Sequence, residues 1–452
     1  MSAFSQVGDT SLEVSMRPGH LKSRFAIVLT GLVALTALVA ACGQATETTQ
    51  APAGPPTTVF EGARVIVGDG SAPIENGVVV VRDTQFVQVG RAGEVQVPEG
   101  ATRVNLAGKT VMPAILDAHV HLRSQMRETL IEDLQRRAYY GVVAAISMGQ
   151  DQGDIPYQVR TESQTMPNTA RFLTAGRGIT APEPGRTEVP FWVSTDAEAR
   201  AAVQDNAKHK VDIIKIWVDD RDNKFKKLTP ELYGAVIDEA HKNGLRVTAH
   251  IYELTDAKGL LKAGLDAFAH GVRDRDIDEE FVAMYKQRHE VILVPNLPSR
   301  GVKTDLSWVS DTVAPAELEK LQAAAAKDDP EAQKLYGIQA RNLAKLNAAG
   351  VKIAMGTDGN TPYGPHIEME DMVAAGMTTN DVLVAATRNS AEVMKLNDLG
   401  TVAAGKSADF LVLDANPLDN ITNTRRINAV YIRGAAVDRA GLRARFGGRT
   451  TE

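Results

Sequence analysis

Beyond residue 110 the chain alternates short apolar runs with longer amphipathic stretches. The apolar runs occupy 111–116, 141–147, 171–175, 211–218, 245–251, 267–271, 291–295 and 351–356. Each has the length of a strand buried on both faces. Between them, 129–140, 230–243, 256–263 and 331–349 carry helical periodicity. Gly141, Gly244, Gly264 and Gly350 follow these helices, where a helix end favours a left-handed residue. Eight strand-then-helix units in succession predict a closed parallel (β/α)8 TIM barrel rather than an open doubly wound sheet. No glycine-rich phosphate loop follows any strand, which argues against a nucleotide-binding fold.

The flanks read differently. Strands are predicted at 63–67, 77–82 and 86–90, separated by Gly68-Asp69-Gly70 and by the turn 73–77. Two more fall near the other end, at 410–413 and 429–432. The predicted fold is therefore α/β: a barrel over 113–395, with a small β-sandwich module built from 59–112 and 396–440.

The first residues read as a targeting segment. Arg17, Lys22 and Arg24 precede the apolar run 25–41, which ends in small residues at Val39-Ala40-Ala41-Cys42. This resembles a bacterial lipobox, so 1–42 is read as a lipoprotein signal peptide with an extra N-terminal extension, and Cys42 as the lipidated residue. An uncleaved anchor helix is the plainer alternative. Residues 43–58, rich in Thr, Pro, Ala and Gln, read as a flexible tether. The expected location is the bacterial periplasm, with a lipid anchor at the outer membrane.

Composition narrows the chemistry. With 50 basic and 56 acidic residues the 452-residue chain has a net charge of -6, unlike a nucleic-acid binder. Cys42 is the only cysteine, so a disulfide within the chain and a thiolate metal cluster are both excluded. Any metal must be held by His, carboxylate or a modified Lys.

Candidate ligands gather at the C-terminal ends of the predicted strands, where barrel active sites lie. His119 and His121 follow the first strand, and period-two geometry points both to one face. Lys215 lies on the fourth, His250 ends the fifth, His270 the sixth, and Asp358 follows the eighth. A lone His at a strand end is usually a hydrogen-bonded structural residue. Six such groups on one rim are a different matter.

This pattern resembles the amidohydrolase superfamily, in particular its binuclear subtype related to metallo-dipeptidases, prolidase-like enzymes and ochratoxin-hydrolysing enzymes. The resemblance extends from about residue 59 to about 440 and includes the stretch from Gly400-Thr401 through Gly405-Lys406 to Ala408-Asp409. Ala114 departs from it, standing where the family often has Gly. The resemblance implies that His119, His121 and Asp358 hold one divalent metal ion, with zinc the expected metal, and that His250 and His270 hold a second. It further implies that a carbon dioxide-derived carbamate on Lys215 bridges the two, and that Asp358 is the catalytic general base and acid. The physics agrees: a buried ammonium is costly, and a neutral lysine amine reacts with carbon dioxide to give a bidentate oxygen ligand. The plainer account of Lys215 is snorkelling to the rim or pairing with Asp219.

The implied substrate is a small amide: a dipeptide, an N-acyl amino acid or an aryl amide. Arg221 and Arg273 are candidates for binding a substrate carboxylate. Trp217 and Tyr252 are candidates for packing against an apolar side chain, with core packing an equal account of both. His366 is placed either at the entrance or at a helix start. A homo-oligomer is compatible with this reading. The competing readings are a mononuclear deaminase or imidazolonepropionase-like cyclic amidase, which lacks the fourth-strand lysine, and a non-catalytic binding lipoprotein.

Overall fold

The computed structural model describes residues 56–447. Seven parallel strands surround the site: β1 (Ile115–Val120), β2 (Val142–Ser147), β3 (Arg171–Thr174), β4 (Ile214–Val218), β5 (Val247–Ile251), β6 (Ala267–Ala269) and β7 (Ile292–Val294). β1, β2 and β3 pair in order, and so do β4 to β7. The two groups are linked where Asp212 N–H donates to Thr174 O at 2.9 Å. All seven are buried along their length, as strands covered on both faces must be.

The eighth stave differs from expectation. Residues 351–356 form no regular strand; they make backbone bonds to each neighbour instead. Leu293 N–H donates to Lys352 O and Ala354 N–H to Leu293 O, at 3.0 and 2.8 Å. On the other side Ala118 N–H donates to Met355 O at 3.0 Å and Asp358 N–H to His119 O at 2.8 Å. The ring so formed is TIM-barrel-like. Its last approach depends on Gly356, where a Cβ would lie 2.8 Å from both the N and Cβ of His119.

The apolar run 111–116 is not one strand, as the sequence predicts, but parts of two. Thr110–Pro113 belongs to the terminal sheet and β1 begins at Ile115. Ala114 N–H donates to Asp409 O, and the next amide, Ile115, donates to Gly141 O in the barrel. Unbroken apolar character hides this crossover, because both layers are buried.

The terminal module is one hydrogen-bonded sheet of eight strands. Thr57–Val65, Ile74–Arg82, Gln85–Arg91, Thr102–Asn105 and Thr110–Pro113 come from the front, and Phe410–Leu413, Ile427–Ile432 and Ala435–Ala436 from the back. Phe410–Leu413 pairs antiparallel with Thr110–Pro113 and joins the two contributions. Phe60, Phe86, Phe410 and Tyr431 pack together, with Phe410 stacked on Tyr431 at 4.5 Å. Residues 57–58, expected in the tether, are already in the first strand, where Thr57 lies opposite Arg82.

The helices match the periodicity closely: Arg127–Tyr139, Pro230–Lys242, Leu254–Ala263 and Pro330–Ala348. Thr229 and Asp329 cap two of them, each with Pro in the first turn. Gly141, Gly244, Gly264 and Gly350 take φ of 76°, 69°, 98° and 77°, the left-handed conformation expected of them. Cys42, the signal segment and most of the tether lie outside the described residues. Among the described residues no helix is long and apolar enough to cross a membrane.

Candidate active site

The site is assembled from the C-terminal ends of β1, β5 and β6, from Lys215 inside β4, and from the turn after the eighth stave. The near-alternation along β1 brings His119 and His121 to one face, their Nε2 atoms 3.4 Å apart. Asp358 Oδ1 lies 3.2 Å from His119 Nε2 and 2.9 Å from His121 Nε2. Its other oxygen is 3.7 Å from His270 Nε2. Lys215 Nζ reaches His119 Nε2 at 3.3 Å. Donor atoms of His119, His270 and Asp358 lie within 4.8 Å of one another, close enough to hold one cation together. His250 joins through its ring, 4.6 Å from that of His270. Its Nε2 faces elsewhere, contacting Asp219 Oδ2 at 2.8 Å and Arg221 at 3.0 Å.

Burial sets the charge states. Lys215 and His119 have no solvent exposure, and His270 has 1%. Desolvation, reinforced by Lys215, pushes His119 down to about 3, and burial also pulls His121, His250 and His270 down. The imidazoles are therefore neutral, the form that donates a lone pair to a metal. Burial brings the Lys215 amine down to about 7. It does not pair with Asp219, which is taken by His250 and Arg221. Burial alone would raise Asp358, but His119, His270 and His121 hold it below the usual carboxylate range.

The structure decides between the two readings open for His366 and for Trp217, and finds Arg221 already engaged. His366 lines no entrance: it is 1% exposed, its Nδ1 against Thr424 Oγ1 at 3.0 Å and its Nε2 against Tyr140 O at 2.9 Å. It lies in the first turn of the helix Gly364–Ala374 and ties it to the barrel wall. Arg221 is already engaged, bonding Glu183 Oε1 at 3.1 Å, Asp219 Oδ2 at 2.6 Å and His250. These bonds tie its Nε and Nη1 to the wall around His250, while its Nη2 is buried without a partner among the described residues. Trp217 is 5% exposed and packs as core, with Gly149 and Gly178 leaving room for its ring and Lys215 Nζ 5.3 Å from the ring centre. Among the described residues Arg273 has no side-chain hydrogen bond or ion pair, and its Nε is buried without a partner. Tyr252 is half-buried beside it, accepting the Arg273 N–H on its carbonyl at 2.9 Å.

Sequence reasoning missed Asn296 and Asp117. Asn296 follows β7; its Nδ2 lies 2.6 Å from His119 Nδ1 and 3.4 Å from His270 Nδ1, and its Oδ1 is buried without a partner among the described residues. With the amide turned so that oxygen faces Nδ1–H, it fixes the tautomer that leaves His119 Nε2 free. Asp117 accepts hydrogen bonds from the backbone of His119 and Thr357, and no isolated Asp signals that role. Strain marks the same rim: Arg221, His270, Asn296 and Asp358 have φ of 56°, 140°, 46° and 56°. Such conformations in non-glycine residues concentrate where function demands a fixed geometry.

Known proteins resemble the chain over most of its length. An uncharacterised protein of Mycobacterium tuberculosis is 26% identical over 339 residues, covering 72% of this chain and 85% of that protein. The ochratoxinase of Aspergillus niger is 25% identical over 417 residues, covering 80% and 82%. A solved prolidase-like protein from Bifidobacterium longum superposes with a TM-score of 0.71 at 28% identity, over 86% of this chain and 98% of that one. The amidohydrolase family model matches residues 110–437, well over half the chain, and the chain belongs to that family.

Proposed function

We propose that this enzyme hydrolyses a carbon–nitrogen bond in a small amide, either a dipeptide, an N-acyl amino acid or an aryl amide. One observation carries the reading: Asp358 Oδ1 within 3.2 Å of both His119 and His121, beside a fully buried lysine amine. The donor set, neutral imidazoles with one carboxylate and a lysine able to add oxygen ligands, suits a pair of divalent cations once His250 Nε2 turns from Asp219 and Arg221. Zinc suits this nitrogen-rich set. His119, His121 and Asp358 would hold one ion, His250 and His270 the other, and carboxylated Lys215 both. Bound there, such ions supply a nucleophile from water near neutral pH and polarise a carbonyl.

The side chains supply the rest. The neutral Lys215 amine attacks carbon dioxide, forming the N–C bond and releasing one proton. Asp358, 37% exposed at the mouth of the site, accepts the proton of the attacking water and passes it to the leaving nitrogen. Arg273, half-buried and without a side-chain partner among the described residues, offers its guanidinium to a substrate carboxylate. Tyr252 flanks that position. The fourth-strand lysine favours this reading over a mononuclear deaminase or cyclic amidase. The test is a hydrolysis screen of the zinc-loaded protein against dipeptides, N-acyl amino acids and aryl amides, with metal stoichiometry measured on the same sample. Turnover of amides with about two ions per chain is expected; deamination or cyclic-amide opening with one ion would overturn it.

A further inference from the structure

A cavity of about 300 Å³ opens beside the centre, flanked by Thr357 and Gly359, the neighbours of Asp358. Leu297, Leu306 and Ile367 contribute apolar wall, and Glu368 and Asp371 of the helix Gly364–Ala374 contribute carboxyls. Glu368 is 5% exposed. It takes one hydrogen bond, on Oε1 from Leu297 N–H at 3.0 Å. Among the described residues its other oxygen has no donor, and no cation pairs with it. Arg300 is the one cation in the lining and is already committed, to Asp371 at 2.5 Å and Glu370 at 2.6 Å. Burial pushes the Glu368 carboxyl well up and Asp371 up to about 7. A buried carboxyl without a counter-charge is unfavourable, and an incoming cation would relieve it.

We propose that this cavity is a subsite for a basic side chain of the substrate, with Glu368 as its counter-charge. The inference rests on the amide-hydrolase reading of the adjoining centre and narrows its substrate to amides carrying a lysine- or arginine-like residue. The apolar wall suits the methylene stem of such a side chain, and the carboxyl at the back suits its ammonium or guanidinium head. An acidic side chain would face two carboxyls, and an apolar one would leave Glu368 buried and unpaired.

Two measurements test this on the zinc-loaded protein. The first compares kcat/KM for dipeptides containing Arg or Lys with the same dipeptides containing citrulline or norleucine, the variable residue placed on either side of the amide. Basic substrates should be preferred roughly 30-fold or more, as for a desolvated charge pair. Glu368→Gln should erase that preference through KM, by weakening the basic substrates relative to the neutral ones. The second titrates free arginine and citrulline into the protein by calorimetry, which requires no turnover. Arginine should bind measurably tighter to the wild type and lose that advantage in Glu368→Gln. Hydrolysis without basic preference, or equal loss on all substrates in the variant, would refute the subsite and leave the hydrolase reading intact. Selective arginine binding without any amide turnover would instead refute the hydrolase reading and keep the subsite.

Discussion

Thr357 and Asp117, 240 positions apart, are joined by two hydrogen bonds, from Thr357 N–H to Oδ1 at 3.0 Å and from its hydroxyl to Oδ2 at 2.9 Å. Asp117 is fully buried, pairs with fully buried Arg137 at 3.2 Å, and also receives His119 N–H at 3.3 Å. One carboxylate thus clamps the strand bearing His119 to the turn bearing Asp358. Thr357→Val keeps the shape and removes one donor to a desolvated anion. Stability should fall by roughly 1–3 kcal/mol, and turnover should fall with KM little changed, because Asp358 is displaced. Urea melts and steady-state kinetics on the same preparation check both.

Lys215→Ala should lose most bound metal and activity, with partial rescue by short carboxylic acids that replace the carbamate oxygens. The wild-type site should also show a pH signature. Because the amine titrates at about 7 in the metal-free site, its neutral form dominates above that pH and is lost below it. Bicarbonate-assisted metal loading of the metal-free protein should therefore weaken as pH falls from 8 to 6. Carbon-13 NMR with labelled bicarbonate, alongside metal analysis, reads this; full metal content and activity in Lys215→Ala would remove the carbamate from the proposal.

Asp358→Asn retains one ligand oxygen and the side-chain size but removes the proton acceptor. Metal should be partly kept while turnover falls roughly 10²-fold or more, the loss expected for a positioned general base. Zinc stoichiometry and kcat measured on one variant separate the two roles. Near-normal turnover with metal intact would leave Asp358 as a turn residue.

Asn296→Ala removes the amide that holds His119 Nδ1 and touches His270 Nδ1. Affinity for zinc should fall roughly 10–100-fold, the usual consequence of losing such an orienting partner. Asn296→Asp, which still accepts from Nδ1–H, should retain more of it. Chelator competition provides the affinities.

Asp151 supplies a stability test at a residue outside the candidate ligand set. Burial pushes its carboxyl up to about 7, although Ser147 and Thr174 hydroxyls donate to it. An unfolded Asp titrates near 4, so between about pH 4 and 7 the folded state binds the proton more tightly. Rising pH therefore lowers stability across that window, and above it the penalty is complete. Asp151→Asn removes the penalty: its melting temperature relative to wild type should climb from pH 4 to 7 and then level off. A constant difference across that range would show that Asp151 does not titrate there.

The alternation of apolar runs with amphipathic helices, the glycines that stop those helices, the placing of His119, His250, His270 and Asp358 at strand ends and that of Lys215 on the fourth strand were all determined by the sequence itself. These are local properties: periodicity, capping and strand position depend on residues within a few places of each other. The tertiary structure alone decided the crossover at Ala114, where consecutive amides bond to Asp409 and Gly141 and uniform burial left no pattern to read. It alone showed that Arg221 bonds Glu183 and Asp219, that His366 braces Tyr140 and Thr424, and that Asn296 and Asp117 contact the strand ends bearing the candidate ligands. Each of these contacts joins residues distant in the chain. Which polar group finds which partner is settled by the desolvation of both when the layers close, and no single stretch of sequence encodes it.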